Sequence, residues 1–329
     1  MMNNFTLPRR GLLGAGFGLG WALAGLPRAE AAAPFRGGQV AGWYRFRVGA
    51  FECTMVSDGA LTLAPAHPTF GGSVATAAEV SAMLEGAFLP TGSIKAELNC
   101  LVVNTGRQLI LIDAGVGAQP VFGPGSGRLR AALAAAGIDA ASVDMVAFTH
   151  AHADHLFGIA DAEGRDVFPN ARYVMTAADL DFWTAEANLN LPAPVNQLVA
   201  GARAVIGPRR GRFSAIAGNA EVAPGIRAVA SHGHTVGHVC FHLESDGQRL
   251  LVMGDVANHP VLALRRPDWP FAFDGDPAAA TASRRRILGM AAADRVPVVG
   301  YHFPWPGIGH VEAAGQGFTY TPSPWDWGG

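Results

Sequence analysis

The run Thr149-His150-Ala151-His152-Ala153-Asp154-His155 constrains this chain more than any other stretch, because it packs three imidazoles and one carboxylate into seven residues. His150 and His152 are two residues apart, so at the end of an extended strand their side chains point the same way. Asp154 and His155 fall just beyond, where a loop turns them toward a neighbouring point. Two adjacent metal sites are the natural reading. The alternative is a polar loop that happens to be rich in histidine. It is disfavoured because only small residues separate the four donors and because the run directly follows the apolar segment Val143 to Phe148, broken by Asp144.

Further elements follow in order: Gly233-His234-Thr235 with Gly237-His238, then Gly254-Asp255, then His302. Together with the first run, they resemble the HxHxDH, G-H-T-P-G-H and G-D elements and the last histidine of the metallo-β-lactamase superfamily, from about Trp43 to Tyr320. Within it, Ser231-His232-Gly233-His234, Asp181-Phe182-Trp183 and the run Phe303 to His310 resemble methyl parathion hydrolases and related lactonases. The resemblance implies an α/β fold, a four-layer αββα sandwich. It also implies a ligand set of His150, His152 and His234 for one ion and Asp154, His155 and His302 for the other, with Asp255 reaching both. Spacing alone supports only His150, His152, Asp154 and His155. His232 competes with His234, and the G-H-T pattern decides for His234.

Two cations beside one water bring its pKa down toward neutrality, making hydroxide the nucleophile of a hydrolysis in which Asp154 and Asp255 are the catalytic carboxylates. No G-x-S-x-G element or Cys-His arrangement offers another nucleophile. Nitrogen and oxygen donors suit zinc, and also manganese, iron or cobalt. The resemblance implies small neutral substrates: lactones, esters or phosphotriesters. Quorum-signal lactonases, the alternative, carry a tyrosine three residues after the bridging aspartate, where this chain has Asn258, and Val236 replaces the proline of the G-H-T-P-G-H element. Readings of other classes are a di-iron redox protein and a metal-free binding protein on the same fold. The complete ligand set argues against the second.

Substrate-pocket candidates are Trp183, Phe122, Asn258 and His67. Trp183 sits on a helix, where it is read as pocket wall or as core, and His67, alone in a loop rich in Pro and Gly, as pocket residue or as solvated side chain. Asp113, after the strand Gln108 to Asp113, either orients a ligand imidazole or caps a turn. Asp179 follows Thr176 in a capping-box pattern and is read as a cap.

With 329 residues, 50% of them hydrophobic, the chain has material for a large core. A net charge of −2, with 15% charged residues and Lys95 as the only lysine, leaves no basic footprint for nucleic acid. Arg9-Arg10 ahead of a glycine-diluted apolar stretch resembles a twin-arginine export signal over residues 1–33, followed by a linker over 34–41 and one hydrolase domain over 42–329. The expected location is periplasmic or extracellular, with no membrane attachment after cleavage near Ala32. A homodimer is compatible with the resemblance. Cys53, Cys100 and Cys240 are expected to be buried, with a pairing left open.

Four local expectations matter below. Asp58-Gly59 is read as a turn between strands, Arg209 to Arg212 as a solvated turn, Arg284 to Arg286 as the exposed side of a long helix, and Val296 to Val299 as the last strand.

Overall fold

The computed structural model describes residues 42–119 and 122–326, so the export signal and linker read from residues 1–33 and 34–41 lie outside the described residues. β1 (Trp43–Val48), β2 (Phe51–Leu63), β3 (Ile94–Asn104), β4 (Leu109–Ile112), β5 (Met145–Ala147), β6 (Arg172–Thr176) and β7 (Phe213–Ile216) form one sheet in that order. β8 (Glu221–Ala223), β9 (Ile226–Ala230), β10 (Val239–Ser245), β11 (Gln248–Val252), β12 (Val298–Val299), β13 (Ile308–Ala314) and β14 (Gly317–Pro322) form the second, again with sequence neighbours paired.

Helices are α1 (Ala66–Thr69), α2 (Ala77–Glu85), α3 (Leu129–Ala135), α4 (Ala153–Leu156), α5 (Ala177–Thr184), α6 (Val195–Ile206), α7 (Leu262–Arg265) and α8 (Pro277–Ala293). Parallel pairing occurs where a helix intervenes: β4 to β5 across α3, β6 to β7 across α5 and α6, and β11 to β12 across α8. A parallel partner can be reached only through such a crossover.

β4 shows why the layers form. It reads Leu-Ile-Leu-Ile, with Ile110 and Ile112 facing Phe241, Leu243 and Val252 of the opposite sheet, and Leu111 facing Leu133 and Val199 of the covering helices. Successive side chains alternate between faces, so a strand covered on both sides has no polar position. Each such side chain contributes roughly 1.5–3 kcal/mol by burial. On the far side, α2, α7 and α8 pack on the second sheet through Leu84, Leu262 and Ile287. The result is a four-layer αββα sandwich.

Three expectations require correction. Asp58-Gly59 is not a turn: β2 continues through it, with the register against β3 shifting between Ser57 and Ala60. This bulge is held by the buried Asp58 carboxylate, which accepts from Val116 N at 2.8 Å and Leu129 N at 2.7 Å, while Gly59 adopts φ +97°. Arg209 is buried rather than solvated, since its guanidinium meets Asp166 and the carbonyls of Val205 and Gly164. Finally, β12 is followed by β13 and β14, which extend the second sheet beyond it. The three cysteines are buried and free.

Candidate metal centre

Every candidate donor stands at or just past the C-terminal end of a strand. After β5, the chain is held by Asp113, which ends β4 in a left-handed conformation (φ +57°) and accepts from Thr149 N and Thr149 Oγ1, each at 2.8 Å. The same carboxylate takes His155 Nδ1 at 2.9 Å. Of the two roles considered for Asp113, these contacts assign the orienting one. Gly158, just after α4, lies so close to Ala114 that an added Cβ would come within 1.7 Å of its carbonyl oxygen. His234 lies between β9 and β10, Asp255 follows β11, and His302 follows β12.

These side chains converge. Ligand atoms of His150, His152 and His234 lie within 4.8 Å of one another, as do those of Asp154, His155 and His302, and those of His150, His155 and Asp255. Asp255 Oδ2 is 3.2 Å from His234 Nε2 and 3.2 Å from His302 Nε2, while its Oδ1 is 3.2 Å from His155 Nε2. Asp255 therefore touches both triads. His232 is exposed, whereas His234 is buried with its Nε2 3.2 Å from Asp255 Oδ2.

Do these residues suit cations? Four imidazoles have their Nδ1 occupied from outside the cluster. His155 donates to Asp113, His234 to Asp274 Oδ1 at 3.0 Å, and His302 to Glu97 O at 2.8 Å. The Thr149 hydroxyl is committed to Asp113, so its oxygen accepts from His150 Nδ1 at 3.0 Å. Each leaves Nε2 aimed at the centre, the arrangement that fixes a metal-binding tautomer. His150 Nε2, His155 Nε2 and Asp255 Oδ1 are buried without a hydrogen-bond partner. Such groups are costly in a protein unless something else meets them.

The electrostatics agree. Burial, then the neighbouring imidazoles, hold His150 and His152 well below the usual histidine range. At His155 burial acts the same way, but Asp255, Asp154 and Asp113 outweigh it and the ring is held well above that range. Asp255 and Asp274 similarly overcome burial at His234, which is pushed up to about 9. The carboxylates thus draw positive charge to His155 and His234, while burial and neighbouring imidazoles disfavour it on His150 and His152; cations entering the cluster would replace protons on the former pair.

A cavity of about 200 Å3 opens over the cluster. His152, Asp154, His234, Asp255 and His302 form its floor, and Leu61, Leu63, Phe122, Leu198, Phe271 and Phe273 its walls. Among the described residues that line it there is no lysine or arginine.

The pocket candidates divide. Phe122 lines the cavity. Trp183 is buried behind His152, ring centroids 5.3 Å apart and nearly perpendicular. Asn258 is buried and donates to Asp255 Oδ2 at 2.8 Å, so it orients a donor rather than lining the wall. His67 is not at the cavity; its Nε2 lies 3.0 Å from Gly72 O and 2.9 Å from Ala75 O, where it fixes a neighbouring turn.

Three further residues support the donors: Asp179, expected as a cap, His238, whose place beside the donors the sequence suggests, and Tyr301, for which the sequence carries no signal. Asp179 is no helix cap: only Thr176 caps α5, and the Asp179 carboxylate accepts from Ala151 N, Thr235 Oγ1 and Gly237 N, joining the two histidine loops. His238 Nε2 accepts from Asp255 N at 2.9 Å; burial, then His234, push it down to about 3, keeping it neutral for that task. Tyr301 stacks on His155 at 3.9 Å and donates to Asp154 O.

Residues 98–302, more than half the chain, match the metallo-beta-lactamase superfamily, and the chain belongs to it. Among solved structures it is similar to AidC, a dizinc quorum-quenching lactonase solved with a product, at 27% identity and TM-score 0.80, covering 86% of this chain and 98% of that one. It is equally similar to AbOPH, a hydrolase in the beta-lactamase superfamily, at 27% identity and TM-score 0.81, covering 88% and 100%. A probable metal-dependent hydrolase from Staphylococcus aureus shares the fold at 20% identity and TM-score 0.70, covering 84% and 99%. No curated protein sequence matches the chain. The dizinc neighbour and the converging histidine and aspartate groups together support a binuclear metal site.

Proposed function

We propose that the protein is a binuclear metal-dependent hydrolase of small, neutral lactones, esters or phosphotriesters. In this reading His150, His152 and His234 would hold one cation and Asp154, His155 and His302 the other, with Asp255 placed within reach of both donor groups. The observation that carries it is a cavity floored by metal-donor atoms and walled by apolar side chains. Bound cations supply Lewis acidity and a water of lowered pKa as nucleophile. Zinc fits the nitrogen and oxygen donors, as manganese, iron and cobalt also do.

The chain's own residues do the rest. Asp255 keeps the two donor groups in register, and the bonds from Asn258 and to His238 stop its carboxylate and backbone from swivelling. Asp154 is the partly exposed carboxylate of the floor, placed to take up a proton and pass it to a leaving group. Phe122, Phe271 and Phe273 exclude water and favour an apolar substrate body. Without a cationic clamp in the wall, an anionic substrate finds no partner there.

The similarity to a quorum-quenching lactonase supports lactones first, and acyl-homoserine lactones as the second reading. The phosphotriester arm rests on the motifs shared with methyl parathion hydrolases. An assay panel of acyl-homoserine lactones, aryl lactones, aryl esters and methyl parathion with defined metals separates them. His152→Ala is expected to remove turnover while far-UV circular dichroism stays native; activity that survives exhaustive chelation overturns the proposal. Export through a twin-arginine-type signal to the periplasm or beyond belongs to the same proposal, and an intact Met1 on secreted protein contradicts it.

A further inference from the structure

Within the Arg284-Arg285-Arg286 run, expected to face solvent, Arg284 is 1% exposed. Buried guanidinium groups are rare unless every donor has a purpose. Here Nε donates to Val256 O at 2.9 Å, Nη1 to Pro267 O and to Trp269 O at 3.1 Å each, and Nη2 to Asp274 Oδ2 at 3.0 Å.

Each acceptor serves the centre by a different route. Val256 follows Asp255 directly. Pro267 and Trp269 open the segment that carries Phe271 and Phe273 into the cavity wall. Asp274 receives His234 Nδ1 on one oxygen, and on the other it receives Phe271 N at 3.2 Å together with Arg284. The platform beneath is rigid. α8 is capped by Asp276, which accepts from Ala278 N and Ala279 N, and Gly233 packs so tightly on it that an added Cβ would fall 2.0 Å from Ala280 N.

We propose that Arg284 is a positioning residue that sets the His234–Asp255 pair and the Phe271–Phe273 wall as one unit, coupling metal loading to recognition of the substrate's apolar part. The inference rests on the metal-hydrolase reading above. A planar fork is required because the acceptors lie in three directions; a lysine presents its donors from a single point and cannot span them. A merely structural ion pair would lower thermal stability and leave both functions intact in the folded fraction.

The test compares wild type with Arg284→Lys, Arg284→Met and Asp274→Asn, each stripped of metal and titrated with Co2+ by equilibrium dialysis and visible absorbance. KM and kcat are then measured on one series of esters or lactones differing only in acyl length. For Arg284→Lys we expect one of two cobalt ions to bind ~10–100-fold more weakly, the range seen when an outer partner of a ligand is removed. Its cobalt spectrum changes, and KM loses most of its dependence on acyl length. Asp274→Asn changes both readouts in the same direction. If Arg284→Met does not fold, the other two variants decide. Native cobalt affinity together with native acyl-length dependence in the folded variants overturns the inference alone, and so does a change in only one of the two. A wild type that takes up no cobalt brings down the hydrolase reading, and this one with it.

Discussion

The first sheet contributes its donors from one loop after β5, whereas the second contributes His234, Asp255 and His302 one at a time, from loops after β9, β11 and β12. In the first sheet, Asp113 orders the start of the loop and one of its imidazoles, with Asp179 taking Ala151 N and Tyr301 donating to Asp154 O. In the second, Asp274 and Arg284 hold His234, His238 and Asn258 hold Asp255, and the Glu97 carbonyl on β3 holds His302. A contiguous ligand run gets most of its geometry from local backbone. A dispersed set must get it from buried polar bonds between elements, each costly if left half made.

The sharpest way to break that comparison is Asp255→Ala. As the one donor that reaches both triads, it is expected to cost both cations and reduce hydrolysis to background, with the fold retained by circular dichroism. Elemental analysis showing one tightly held equivalent in Asp255→Ala, as in His152→Ala, would make the two halves equivalent after all. Next is Asp113→Asn, whose one amide oxygen cannot keep all three bonds, from Thr149 N, Thr149 Oγ1 and His155 Nδ1. Chelator competition should show metal affinity ~10–100-fold weaker, a smaller loss than at Asp255. An unchanged affinity would mean that the local backbone alone orders the first loop.

The smallest effect is expected at Asp58, remote from the donors. Burial pushes its carboxyl up from 3.8 to about 6, against the lowering effect of the backbone donors at Val116 and Leu129. The folded protein therefore holds that proton more tightly than the unfolded chain. Its stabilising contribution is complete below the unfolded value and is lost as pH rises through about 6, at most about 3 kcal/mol. In urea titrations, Asp58→Asn should be more costly at pH 4 than at pH 7. Equal penalties at both pH values would show that the bulge does not bury a titrating group.

Legibility in the sequence follows the same division. The quartet from His150 to His155 is readable because its members are neighbours, and the two-residue strand period fixes which of them align. Asp255 and His302 are single residues in apolar surroundings, visible only through a family pattern. Asp179 was misread because Thr176 offers a local explanation three residues away, while its actual partners are at 151, 235 and 237. For Arg284 a signal existed. Ala280, Ile287, Leu288 and Ala291 form the buried stripe of α8, and a spacing of three and four residues places Arg284 on it rather than with Arg285 and Arg286. Helical phase, not the charge of the run, decides the burial of Arg284.

The arrangement of donors along the chain also bears on assembly. A polypeptide still growing from the ribosome displays the quartet long before His302 exists, so an early ion meets a half-built grip with nothing to close it. The clasp forms only when β12 has been laid beside β11, which ties durable metal capture to synthesis of the chain through His302 and makes retained metal a proxy for the correct joining of the two sheets' loops.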